Sequence, residues 1–512
     1  MLVKVYASAI HGVDATTITV EVSVDPGIKF FLVGLPDSAV KESQQRVRGA
    51  LAYSQLKMPR QQITVNMAPA DIRKEGSAYD LPIALGILAA SDQLHSEGLA
   101  SAIIMGELSL DGSLMPITGA LPMALQAVKE GFKSIILPLQ NAKEAAVVEG
   151  IEVLGASNLA QVVRHFNDDE HLPLIVTDPK SAFERAYSLS GVDFSEVKGQ
   201  DNVKRALEIA AAGGHNVILI GPPGAGKSML AKRMATILPP MTMEEALETT
   251  KIHSVAGLLS QDTALVAHRP FRSPHHSVSN AALVGGGSYP QPGEISLAHH
   301  GILFLDELPE FQRSVLEVMR QPMEDREVTI SRASHAVTYP AAFMLFASMN
   351  PCPCGYHNHP TRQCTCPPGA VDRYLNKISG PLLDRIDLHV EVTPVKFEEI
   401  SKDDPAEASN VIRNRVLKAR DIQLQRFQNT PHVHNNAQMG SKQLRSVCKI
   451  DATGRKMLES AMERLNLSAR AYDRILKVAR TIADLEGSEG VSPGHLAEAI
   501  QYRSLDRGDW GK

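Results

Sequence analysis

The residues best placed to do chemistry are those of GPPGAGKS, at 221–228, which follow the apolar run NVILI. Val217 to Ile220 predict a short buried strand. In the loop formed by Gly221, Pro222, Pro223, Gly224, Ala225 and Gly226, the glycines allow a tight turn that points successive backbone N–H groups inward at phosphate oxygens. Lys227 is expected to reach the β- and γ-phosphates of ATP, and Ser228 to offer its hydroxyl to Mg²⁺. The following helix, MLAKRMATIL, adds the positive end of its dipole. A glycine-rich turn alone is an ordinary strand-to-helix loop; the full GxxxxGK[ST] pattern between a strand and a helix is a phosphate loop.

The run ILFLDE, at 302–307, supplies the complementary acids. Four apolar residues place Asp306 and Glu307 at the carboxyl end of a buried strand, where ligands of open α/β sheets bind. Asp306 is expected to hold Mg²⁺ through water, and Glu307 to polarise the attacking water. A third strand, AFMLFASM, ends at Asn350, whose side chain could orient water near the γ-phosphate. Further on, GPLLDRIDLHVEV carries Arg385, and SARAYDRILKVAR carries Arg470 and Arg474. Taken alone, Arg385 and Arg470 each read as surface salt-bridge partners.

Four of the five cysteines, Cys352, Cys354, Cys364 and Cys366, lie within CPCGYHNHPTRQCTC. Two CxC pairs, with Pro353 and Gly355 shaping a tight turn, can bring four thiolates to one structural Zn²⁺. His357 and His359 are alternative ligands, and disulfides are the weaker reading for a cytosolic chain. Cys448 reads as a helical core residue.

These groups must be positioned by a sizeable scaffold. At 512 residues the chain predicts about three domains on a prior of ~150 residues each. Its 44% hydrophobic and 21% charged residues are those of a soluble globular protein. No apolar run approaches the ~20 residues of a spanning helix, and the N-terminus lacks a signal-peptide layout, so a cytoplasmic protein with no membrane partner is expected. A net charge of −5 neither supports nor excludes nucleic acid; any contact must come from local basic patches or from a ring that concentrates them. Residues 1–175 alternate β-rich and helical runs, and 176–196 read as a linker. Residues 197–395 carry the nucleotide motifs on βα alternation together with the cysteine cluster at 352–366, and 396–512 turn helical.

The segments FRSPHHSVSNAALVGGG, PGEISLAHHGILFLDELPEF, RQPMEDREVTISRA, MNPCPCG and SGPLLDRIDLHVEV resemble the magnesium-chelatase-like AAA+ proteins of the YifB/ComM type, over essentially the whole chain. The resemblance implies an α/β fold: an AAA+ phosphate-loop core with a helical C-terminal lid, preceded by a Lon-protease-like α/β domain. It makes Arg385 a candidate arginine finger acting in the neighbouring subunit of a homohexamer. Arg470 becomes a second sensor touching the γ-phosphate in cis, with Arg474 as the alternative one turn on. It also implies DNA branch migration in natural transformation, with single-stranded and branched DNA as partners and a recombinase alongside. The alternative is a protein-remodelling or chelatase-type ATPase without nucleic acid; a regulatory unfoldase is a third reading.

The N-terminal region resembles the proteolytic domain of Lon, with departures. MGELSLDGSLMPITGALPMALQAVKEGFKSIILP follows Lon's catalytic segment, but Leu121 stands at the lysine position. In KEGSAYDLPIAL, Ala78 stands at the nucleophile, with Ser77 beside it. A serine–lysine dyad needs both partners, so an inactive protease fold is expected. Two segments, FRSPHHSVSNAALVGGGSY and REVTISRASHAVTYP, have strand–turn–strand character. Arg272, His275, His276 and Arg332 on them are candidate phosphate contacts for DNA, with packing loops as the alternative.

Overall fold

The computed structural model describes all residues except 182, 184–190, 261, 288–289, 332–335, 396–405, 431–432, 466, 504 and 506–512. The chain divides into two compact units, Met1–Ala186 with Met243–Ala267, and Tyr187–Thr242 with His268–Lys512. Among the described residues no helix is long and apolar enough to cross a membrane.

The first unit is built on a seven-stranded mixed sheet. Its strands run in the order Phe30–Val33, Gln62–Ala68, Asp14–Asp25, Leu2–His11, Ala102–Ile104, Ser134–Pro138, Glu152–Ala156. Ile18, Val20, Val22 and Val24 recur at every second position of Asp14–Asp25 and are buried, while the residues between them stay accessible, the period of a strand with one covered face. Helix Asp80–Ala90 is apolar almost all round and buried on every side, as a helix at the centre of a unit must be. Its one charge, Asp80, is gripped by Arg46 through Nε at 2.6 Å and Nη2 at 3.0 Å. Burial still pushes that carboxyl up to about 6, with Arg46 opposing.

The segment Met243–Ala267 belongs to this first unit, although its place in the sequence is inside the stretch that carries the nucleotide motifs. Its helix Met243–Val255 ends on Ser254, whose hydroxyl donates to the buried Glu144 carboxylate and whose carbonyl accepts from Gly119 N at 3.3 Å. Glu144 also accepts from Leu121 N at 2.8 Å.

The second unit holds a five-stranded sheet in the order Phe271–Arg272, Ile302–Leu305, Met344–Met349, Val217–Ile220, Leu388–Glu391, with every neighbouring pair parallel. The three central strands are buried throughout, so they read as unbroken apolar runs instead of alternating ones. Because all five run the same way, the residues that follow them emerge at one edge. Helices Asp201–Gly213, Lys227–Ile237, Ser409–Phe427 and Ala469–Leu485 complete one hydrophobic core with the sheet, through Ile209, Leu230, Val416 and Ile475 against Leu219, Phe304 and Phe346. Among the C-terminal helices, Asp484 is fully buried and accepts from Arg426 Nη2 at 2.5 Å, Asn436 Nδ2 at 2.7 Å and Arg480 Nε at 3.0 Å. This is the expected α/β core with a helical C-terminal region.

Candidate active site

The register of the parallel sheet assembles the site. Ile220 is paired with Met349 and Leu305 with Ala347, so the phosphate loop, Asp306 and Asn350 leave the same edge side by side. Gly221 is required by crowding: a Cβ there would lie 2.4 Å from the Val392 carbonyl oxygen. Lys227 opens its helix and is almost wholly buried; its ammonium donates to Gly221 O at 2.6 Å, Pro222 O at 3.0 Å and Asn350 Oδ1 at 3.1 Å. Burial pulls its pKa below the ordinary lysine range, and the charges of Asp306 and Glu307 oppose that pull. Ser228 Oγ donates to Asp306 Oδ2 at 2.8 Å, and the other carboxylate oxygen accepts from Ser348. Hydroxyl and carboxylate therefore face one another as a pair able to hold Mg²⁺. Glu307 has φ 54° and ψ 50°, a left-handed conformation that costs a non-glycine residue about 1–2 kcal/mol. Its carboxylate is half-exposed, with His276 Nδ1 at 3.9 Å.

Arg385 lies at the other end of the sheet. It precedes strand Leu388–Glu391, whose first residue pairs with Val217, the first residue of the strand leading into the phosphate loop. Four residues of strand span about 13 Å, so the arginine and its own phosphate loop stand on opposite edges. It is buried, with Nη2 2.7 Å from Glu324 Oε1 and Nη1 donating to Pro381 O at 2.6 Å. Arg470 is exposed in the first turn of Ala469–Leu485, whose N-cap Ser468 reaches Asp384 Oδ1 at 3.4 Å. Arg474, one turn on, pairs with Asp387 at 3.1 Å. The start of this helix is thus brought to the Arg385 end, a different place from the cis contact expected for Arg470.

The four cysteines converge. Sγ of Cys352 lies 3.3 Å from that of Cys354 and 3.8 Å from that of Cys364, and Cys354 and Cys364 are 3.6 Å apart; Cys366 completes a group within 4.8 Å. Four sulfurs each ~2.3 Å from a tetrahedral zinc stand about 3.8 Å from one another, so the set fits that ion. None is in a disulfide. Burial raises the Cys354 thiol, but hydrogen bonds from the Thr365 and Tyr356 backbone and from the Cys352 and Cys366 thiols together bring the group down to about 5. His359 is engaged elsewhere, its Nδ1 accepting from Arg362 N at 3.1 Å.

Comparison with known proteins agrees with this architecture. Family models of the magnesium chelatase subunit ChlI match residues 20–141, 193–400 and, for its C-terminal part, 406–503. The chain is 46% identical to the competence protein ComM of Haemophilus influenzae, over 99% of this chain and 98% of that protein. The chain belongs to the YifB/ComM family. It is also 45% identical to YifB of Escherichia coli, over 98% of this chain and 97% of the relative, and 30% identical over 157 residues to Lon protease 2 of Bacillus subtilis, 28% of this chain and 27% of that one.

In this YifB/ComM chain the candidate DNA contacts divide. Arg332 lies outside the described residues. Arg272 is not at a hairpin tip. It sits in the edge strand of the sheet and forms a two-pronged pair with Glu294, Nε at 2.6 Å and Nη2 at 2.7 Å. His275 and His276 follow it, their rings 4.0 Å apart, and His276 is placed beside Glu307 and edge-on to Phe311. The short pairing in this region is Gly285–Gly286 with Gln291–Pro292. In the second segment Glu327–Ser331 pairs antiparallel with Ala336–Pro340, and the residues between the two strands lie outside the described ones. In the Lon-like unit, Leu121 is wholly buried, and Ser77 donates its hydroxyl to Glu107.

Two residues at the phosphate loop escape sequence reasoning. Gln200, in a left-handed conformation ahead of Asp201–Gly213, donates to Ala225 O at 3.0 Å and Thr393 O at 3.3 Å, fastening the loop to the neighbouring strand. Ser348, in the apolar run before Asn350, holds Asp306. A polar residue breaking an otherwise apolar strand was the available signal for the second; nothing local marks the first.

Proposed function

We propose that this protein is an AAA+ ATPase working as a homohexameric ring, whose hydrolysis drives branch migration on single-stranded and branched DNA as incoming DNA recombines in natural transformation. The observation that supports the ring is the position of Arg385: it stands at the edge of the sheet opposite its own phosphate loop, an arrangement suited to a finger that acts on a neighbour in subunits joined head to tail. The DNA assignment leans on similarity to a competence protein.

In this reading Lys227 exchanges its contacts with Gly221 and Pro222 for phosphate oxygens of ATP. Ser228 and Asp306 would hold Mg²⁺, which would supply neutralisation of phosphate charge. Glu307 accepts the proton of the attacking water, and Asn350, already bonded to Lys227, orients that water. Arg385 leaves Glu324 to stabilise transition-state charge in the next subunit, with Arg470 or Arg474 acting from the same edge. The four cysteines hold a structural Zn²⁺. The Lon-like unit serves assembly or substrate handling, since Leu121 can neither accept a proton nor carry charge. The setting is the cytoplasm, with a recombinase as partner.

Similarity to magnesium chelatase favours a second reading, remodelling of a protein or insertion of a metal without nucleic acid. Branch migration of a synthetic three- or four-stranded junction, with and without ATP, separates the two. ATP-dependent strand exchange is expected; its absence, alongside intact ATPase activity that branched DNA does not stimulate, would reject the DNA reading.

A further inference from the structure

The cysteine cluster and the nucleotide site are built from one stretch of chain. Asn350, which bonds Lys227, stands two residues before Cys352. The next turn, closed by Gly355 N donating to Cys352 O at 3.0 Å, lies directly against the phosphate loop: Gly355 has φ +83°, and a Cβ on it would come within 2.5 Å of Pro223 Cδ and 2.8 Å of its Cγ. Beyond the fourth cysteine, helix Ala370–Leu375 returns toward the site, where Glu310, the backbone of Asn350 and Glu307 act on the buried Tyr374 phenol. Between Met349 and Ala370 the described residues form no helix or strand, only isolated turns. Without a backbone ladder to define its shape, this stretch takes it from the convergence of the four sulfurs, assisted by His357 N donating to Cys352 Sγ at 3.3 Å.

We infer that the ion held structurally by the four cysteines also acts on the nucleotide site, its occupancy setting the affinity of the phosphate loop for nucleotide. An ion held by the sulfurs fixes the turn that presses on Pro223 and the strand end that keeps Asn350 against Lys227. Releasing the ion frees both. The inference rests on the zinc reading of the cluster, and it adds a reciprocal consequence: if metal strengthens nucleotide binding by some factor, nucleotide strengthens metal binding by the same factor.

The test uses the full-length protein. Its zinc content is measured first. Affinity for a fluorescent ADP analogue is then compared between zinc-loaded and chelator-depleted protein, and zinc affinity is measured by chelator competition with and without saturating ADP. Depletion is expected to weaken ADP binding by about tenfold, within the usual range of coupling between sites, with an equal gain in zinc affinity when ADP is bound. Gly355→Ala keeps all four ligands but pushes on Pro223; it is expected to retain one zinc per chain, bind ADP several-fold more weakly, and lose the response of zinc affinity to ADP. Absence of stoichiometric zinc overturns the metal reading itself. Stoichiometric zinc with ADP affinity unchanged on depletion overturns the coupling alone. Should depletion unfold the chain, the zinc-loaded Gly355→Ala variant decides, and wild-type ADP affinity there overturns the inference.

Discussion

The placement of Arg385 yields a quantitative prediction. Its side chain reaches about 7 Å, whereas the strand between it and its own phosphate loop spans about 13 Å before the loop begins. Arg385→Ala should therefore leave ATP binding by its own subunit intact and lower turnover by about 10³-fold, the scale of an arginine finger. Lys227→Ala should disable the loop and leave the finger whole. When the two inactive proteins are mixed in equal amounts and allowed to exchange subunits, a site works when an Arg385→Ala subunit supplies the loop and a Lys227→Ala neighbour supplies the finger. For independent head-to-tail interfaces that combination occurs at about one quarter of sites, whatever the number of subunits in the ring. Phosphate release, followed across mixing ratios, should rise from near zero for either protein to about a quarter of wild type at equal amounts and fall again symmetrically. A flat line joining the two inactive values, in a mixture shown by differential tagging to contain both subunits, would refute the assignment in trans.

Other consequences are more direct. Glu307→Gln should bind ATP with near wild-type affinity and hydrolyse it about 10²–10⁴-fold more slowly, the worth of a general base; normal turnover would reject Glu307 as the base. Asp484→Ala leaves Arg480 buried without its carboxylate. Breaking such a pair costs about 3–5 kcal/mol, readable as a lowered midpoint in chemical denaturation, while a shift below about 1 kcal/mol would mean the pair is solvent-relaxed.

What the sequence could reveal depended on whether the cause was local. The phosphate loop, the acids at 306 and 307 and the cysteine cluster are contiguous stretches whose spacing carries their geometry, and the unbroken apolar runs before them reflect strands covered on both faces. Edge strand Phe271–Arg272 is only two residues long, too short to give a periodicity, which is why its arginine reads from sequence as part of a protruding hairpin. Membership of Met243–Ala267 in the first unit depends on Glu144 and Ser254 meeting across 110 residues, a contact with no local trace. Likewise the edge to which Arg470 is brought follows from the packing of Ala469–Leu485 near Asp384, not from its own motif.

That inserted segment has a consequence for how the protein can be taken apart. The chain passes between its two units at 186/187, again at 242/243 and again at 267/268. No single cleavage, natural or engineered, can release the ATPase unit cleanly. A truncation beginning near 187 would carry helix Met243–Val255 without Glu144, and without the N-terminal core against which Leu247 packs. The backbone N–H of Leu121 shares the Glu144 carboxylate with Ser254, so position 121 helps to hold a segment that lies, in sequence, inside the nucleotide-binding stretch.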